Sequence, residues 1–151
     1  MANYSTTIRT SLPSAAAFDY MADARHFAEW DPGTLGVVQV IGEGAAPDSV
    51  FDVEVKSIVG STTLRYRTTG FEPPERVQLE ATSRMFTSID VIEIAGVGPM
   101  QDGSAITYSA ELRLNGPLAV FDRLLAIAFR RIGDRAAEGL ARALGGTRVV
   151  S

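Results

Sequence analysis

The last third of the chain constrains the fold more than any other part. Leu118, Phe121, Leu125, Ala128, Ile132, Ala136 and Leu140 recur at threes and fours, the spacing of one face of an α-helix. Arg123, Arg130, Arg131, Asp134, Arg135, Glu138 and Arg142 collect on the opposite face. Bounded by Asn115-Gly116-Pro117 and Gly145-Gly146, this pattern predicts one helix of about 27 residues, roughly 40 Å long. A helix with one apolar stripe gets most of its stability from packing, so this one needs another apolar surface to lie on.

The middle of the chain supplies that surface. Phe51, Val53 and Val55 alternate with Asp52, Glu54 and Lys56, the period of a half-buried strand. Gly60-Ser61 turns into Leu64, Tyr66 and Thr68, which alternate with Arg65 and Arg67. Pro73-Pro74 breaks the chain before Val77, Leu79 and Ala81. A strand over 86–95 follows, and Gln101-Asp102-Gly103 turns into Ile106, Tyr108, Ala110, Leu112 and Leu114. Upstream, Tyr4 to Thr10 reads as a first strand, Pro13 opens a helix over Ser14 to Ala22, and Ala24 to Glu29 forms a second short one. The chain must turn at Trp30-Asp31-Pro32-Gly33, because the residue before a proline leaves helical space. Leu35 to Ile41 is extended and apolar, and the segment from Gly42 to Pro47 is a turn. The expectation is an antiparallel sheet of about six or seven strands facing one long helix.

Composition narrows the function. A chain of 151 residues without repeats or linkers is one domain over 1–151, long enough to bury a real core. Its formal charge of −4 offers no field for phosphate backbones, so nucleic acid is not an expected partner. With no cysteine and only His26, neither a thiol nucleophile nor a multi-histidine metal site is available, and no metal or cofactor is expected. Lys56 is the sole lysine, which reads as a compositional bias towards arginine. The start of the chain lacks the basic and apolar regions of a secretory signal. The apolar run from Leu118 to Phe129 is short and broken by Asp122 and Arg123, so stable membrane insertion is not expected. A soluble, cytoplasmic protein is the default, and a homodimer stays open.

The order of elements and several local segments resemble the START-like (SRPBCC) superfamily, and within it the polyketide cyclase/dehydrase-like proteins. Residues 8–22 resemble the opening strand and its proline-led helix, and 22–33 the segment ending in a tryptophan before the second strand. Residues 102–108 resemble the glycine turn into the last long strand, and Gly116-Pro117-Leu118 the lead into the long helix. One departure is 45–49, Ala-Ala-Pro-Asp-Ser, where relatives often have a glycine-rich turn. The resemblance implies an α+β helix-grip fold: a curved antiparallel sheet wrapped around the C-terminal helix, with two short helices after the first strand and a cavity between sheet and helix. That fold serves carriers, cyclases, dehydrases and hydrolases, so function rests on the residues inside.

If the charged parity faces water, Phe51, Val53, Val55, Leu64, Tyr66, Val77, Leu79, Ile106, Tyr108, Ala110 and Leu112 face the helix. Their partners would be Leu118, Phe121, Leu125 and Phe129. Of these, Phe51, Val53, Val55, Leu64, Tyr66, Leu79, Tyr108, Phe121 and Leu125 are the candidate ligand-binding residues, the alternative being a core packed without a void. The strand 86–95 points either Asp90 or Glu93 inward, and a buried carboxylate can serve as general acid or base. The plainer expectation is a bulge that lets both reach solvent. Tyr66 and Tyr108 are the candidate inward hydroxyls, the ordinary expectation being packing with the hydroxyl at the rim. His26, with Asp23 and Glu29 three residues to either side, reads as part of a solvated helix face, and Trp30 as a structural plug. The arginine-rich helix face reads as solvated, with contact to an anionic membrane as the alternative.

Three functions stay open on these grounds. The first is binding, transport or sensing of a hydrophobic small molecule such as a lipid, polyketide or isoprenoid. The second is a cyclase or dehydrase using Asp90 or Glu93 as base and Tyr66 or Tyr108 to polarise a carbonyl. The third is a partner-binding regulator without a working cavity. An inward carboxylate within hydrogen-bond reach of a tyrosine favours the enzyme, an all-apolar pocket the carrier, and a filled core the regulator.

Overall fold

The alternating segments pair into a single antiparallel sheet. A computed structural model of the chain describes residues 2–57, 60–100, 102–116 and 122–149. Its strands are β1 (Ala2–Thr10), β2 (Thr34–Ile41), β3 (Val50–Ser57), β4 (Gly60–Glu72), β5 (Arg76–Thr82), β6 (Phe86–Val97), β7 (Gly103–Leu114) and β8 (Thr147–Arg148). They lie in the order β2-β3-β4-β5-β6-β7-β1-β8. The described strands exceed the expected six or seven because β8, just beyond the Gly145-Gly146 stop, adds to the free edge of β1. Helix α1 (Ser14–Ala22), a 3₁₀ turn (Ala24–His26) and α2 (Phe27–Trp30) follow β1, and α3 (Asp122–Ala143) follows β7. The predicted start of the long helix at Leu118, and Phe121 with it, lie outside the described residues.

Strand parity follows the alternation in the sequence. Phe51, Val53, Tyr66, Val77, Leu79, Ile106 and Ala110 are buried, while Val55, Leu64, Tyr108 and Leu112 are half-buried. The register shifts between Thr68 and Gly70 of β4, and Phe71 beyond it packs edge-on against Phe18 of α1 at 5.4 Å. No shift interrupts β6 in its pairing with β5 or with β7. The expected bulge in this strand is therefore absent, and its even-numbered residues face the core while Glu93 is exposed.

The helix does not lie evenly on the sheet. Its neighbours are β1, β8 and α2 rather than the middle strands, and its burial is confined to the C-terminal half. Ala136, Ala137 and Leu140 are buried there, with Leu144 just beyond. Two glycines allow the close approach: a Cβ at Gly139 would collide with the carbonyl oxygen of Trp30, and one at Gly133 with the ring of Tyr4. The Tyr4 hydroxyl donates to Asp134 at 2.8 Å, and Arg148 of β8 reaches the same carboxylate at 2.8 Å. The N-terminal half is bare by contrast. Leu124, Ile127 and Ile132 are 68%, 65% and 52% exposed, and Leu125 and Phe129 are only half-buried. The stripe predicted to be covered along its whole length is thus covered at one end. No helix among the described residues is long and apolar enough to cross a membrane.

Candidate functional site

The two inner positions of β6 next to its start are polar, Ser88 and Asp90, and both are buried. Asp90 lies opposite Leu79 on β5 and Ala110 on β7, so its immediate neighbours are apolar on both sides. Tyr108 sits opposite Ile92 and reaches diagonally along the sheet, where its hydroxyl donates to Asp90 Oδ2 at 2.8 Å. Tyr66 comes from the other side. It pairs with Ala81, which in turn pairs with Ser88, and the small Ala81 side chain lets the phenol pass over β5. The Tyr66 hydroxyl and Ser88 Oγ are 2.9 Å apart. Two phenols from opposite directions therefore meet one polar row on a mostly apolar surface.

Electrostatics follow from this burial. Asp90 is pushed up to about 7, first by loss of solvent; the Tyr108 hydrogen bond pulls it down and the charge of Asp31 pushes it up. Burial, then the charge of Asp90, holds Tyr108 well above the ordinary phenol value. The same two causes raise Tyr66, against the opposing hydrogen bond from Ser88. A carboxyl that titrates near neutrality exists in both protonation states there and can both take and give a proton. Asp31 is raised too, by burial, although its carboxylate accepts from the Gly33 amide at 2.9 Å and the Thr34 hydroxyl at 3.0 Å.

Trp30 closes one side of the row. Its ring packs edge-on against Tyr108 at 5.5 Å and Phe27 at 5.1 Å. It plugs helix to sheet as the sequence suggests, and its Nε1 is the one fully buried side-chain polar atom without a hydrogen-bond partner among the described residues. His26 is occupied elsewhere. Its ring stacks on Tyr20 at 4.5 Å and Nδ1 lies 2.8 Å from the Tyr20 carbonyl oxygen, so neither Asp23 nor Glu29 orients it. Asp23 instead binds Arg25, and Glu29 accepts from the Tyr20 hydroxyl.

The residues expected to line a ligand site fall into three groups. Phe51, Val53, Tyr66 and Leu79 are buried in the core. Val55, Leu64, Tyr108 and Leu125 are half-buried, while Phe121 is outside the described residues. Glu93 is separated from all of them. It lines an open depression of about 910 Å³ on the other side of the sheet, with Glu72, Glu75 and Arg76, to which Asp90 does not contribute. Between the two candidate carboxylates the fold selects Asp90. Ser88 and Asp31 were not anticipated. Ser88 shares the parity of Asp90 and could have been found from it; Asp31 lies in a turn whose position above the sheet no local pattern encodes. Among the described residues no cluster of three histidine, cysteine or acidic side chains is placed to hold a metal.

Comparison with known proteins bears on the whole chain. The family model described as polyketide cyclase / dehydrase and lipid transport matches residues 1–145. No curated protein matches the sequence. A START superfamily protein from Mycobacterium smegmatis superposes with a TM-score of 0.70 at 14% identity, covering 95% of this chain and 94% of that one. The Zhui aromatase/cyclase from Streptomyces sp. R1128 gives 0.67 at 12% identity, over 93% and 94%. A protein from Thermus thermophilus gives 0.74 at 10% identity, over 94% and 96%. At such identities the likeness is one of fold, and it is the START-like helix grip.

Proposed function

The chain belongs to the polyketide cyclase/dehydrase and lipid transport family, and from that premise we propose that it binds a largely apolar small molecule between the inner face of its sheet and the N-terminal half of α3. One observation carries the reading. Val55 and Leu64 on the sheet and Leu125 and Phe129 on the helix are half-buried apolar side chains, and the inner face of the sheet carries a buried polar row. Apolar walls with a few placed polar groups are the usual design of a small-molecule site. Native mass spectrometry of freshly purified protein tests this directly, and the expected result is a co-purified mass of lipid-like or polyketide-like composition. Protein free of any such mass that also fails to take up an apolar fluorescent probe would overturn it.

A second reading has its own support in the Asp90–Tyr108 hydrogen bond. An inward carboxyl titrating near neutrality can take a proton from the carbon beside a ketone, and a phenol turned to the ketone oxygen would hold the charge that develops there. Expulsion of a β-hydroxyl as water, with the proton from Asp90, would complete a dehydration. Loss of water from a β-hydroxy ketone, followed by mass spectrometry, is the expected outcome. An Asp90→Asn variant that remained folded and equally active would remove Asp90 from that role.

A further inference from the structure

A ligand bound as proposed above must meet the groups that surround its polar end, and these groups are unusually one-sided. Trp30 is 3% exposed, yet its indole N–H donates to nothing among the described residues. A buried donor left without an acceptor is costly, so native structures rarely retain one without a reason. Of the neighbouring hydroxyls, that of Tyr108 donates to Asp90, and those of Tyr66 and Ser88 lie 2.9 Å from each other. The charge balance is equally lopsided. Asp90 is buried, while no lysine, arginine or histidine is buried among the described residues. An anion placed beside the Tyr108–Asp90 pair would face the buried Asp90 carboxyl with no buried cation among the described residues to offset it.

We propose that the polar end of the ligand is an uncharged carbonyl oxygen, of a ketone or an ester, that accepts a hydrogen bond from Trp30 Nε1 beside the Tyr108–Asp90 pair, and that free carboxylates are rejected by Asp90. Trp30 then has two roles. Its ring packs the short helices to the sheet, and its N–H selects the ligand. This rests on the apolar-site reading, and it adds the sign and kind of the group that the site receives.

The test uses three probes of matched hydrocarbon length: methyl decanoate, decanoate and undecane. Trp30 is the only tryptophan in the chain, so its emission reports binding in the unaltered protein. At pH 8 the ester should bind about tenfold or more tightly than decanoate, the penalty of an unpaired anion beside a buried acid. In Trp30→Phe, followed by native mass spectrometry, ester affinity should fall about fivefold, the worth of one hydrogen bond, while undecane affinity holds. In Asp90→Asn, decanoate should gain about fivefold as one opposing charge is removed. Decanoate binding as tightly as the ester would overturn the inference, even with both variants unmade. So would a folded Trp30→Phe with an unchanged ester-to-undecane ratio; in that case undecane binding would still uphold the apolar site. Failure of all three probes to bind would overturn the apolar site and this inference together.

Discussion

The two halves of α3 have similar helical patterning and opposite fates. The C-terminal half buries Ala136, Ala137 and Leu140 against β1 and the end of α2, with Gly133 and Gly139 removing the side chains that would hold it off. The N-terminal half carries larger apolar residues, Leu124, Ile127 and Phe129, and buries none of them fully. Small residues pack because backbone can approach backbone; large ones without a facing surface stay open. Burial and exposure are thereby separated along one helix. The polar row of Ser88 and Asp90 belongs to the closed region by burial, and Tyr108 connects it to the half-open one.

The largest expected effect tests whether that row is truly closed. Asp90 has a folded-state value of about 7 against an ordinary 3.8, so the folded chain holds a proton that the unfolded chain has released between those values. Stability is then full at low pH, falls as pH rises through the window from 3.8 to about 7, and is flat above it for this group. The loss amounts to about 4 kcal/mol, and Asp90→Asn should abolish it, being more stable than the parent at pH 8 but not at pH 4. Urea denaturation at the two pH values checks this; equal pH dependence in both proteins would mean that the carboxyl is hydrated.

The next effect sets the two halves of the helix against each other. Leu140→Ala should cost about 3 kcal/mol through the cavity it leaves, whereas Leu124→Ala should change stability by no more than about 0.5 kcal/mol. Denaturant midpoints read both, and a costly Leu124→Ala would show that something covers the bare half. A smaller loss, about 1 kcal/mol, is expected for Tyr66→Phe, which leaves Ser88 without its side-chain partner. Ligand affinity unchanged in the Tyr66→Phe/Tyr108→Phe double variant would remove both phenols from the site. Smallest of all, Glu93→Gln should leave stability within about 0.5 kcal/mol and binding unaltered, because its side chain is exposed away from the row.

Much of the architecture was legible in local patterns. Alternation placed Phe51, Val53, Val77, Leu79 and Ile106 inside, because side chains of a strand point to opposite faces by geometry. The threefold and fourfold spacing of the last segment marked a long helix for the same kind of reason. The site was only half legible. Parity narrowed the carboxylates to Asp90 or Glu93, but apolar residues on both faces of β6 left the choice open until the pairing with β5 and β7 resolved it. The helix stripe was over-read, since a pattern says which face is apolar and not whether a partner surface reaches it. Trp30 and Asp31 illustrate the remaining gap: their place above Tyr108 and Asp90 depends on how a turn crosses a sheet built by residues distant in sequence.

The sequence by itself determined the element types, the family resemblance and the scarcity of reactive side chains, all of which follow from local periodicity and composition. Tertiary structure decided which carboxyl is buried, which phenol reaches it, and which half of the helix is covered. Those are matters of register and of approach between distant segments, and hydrogen-bond pairing and steric contact act only once the chain has folded.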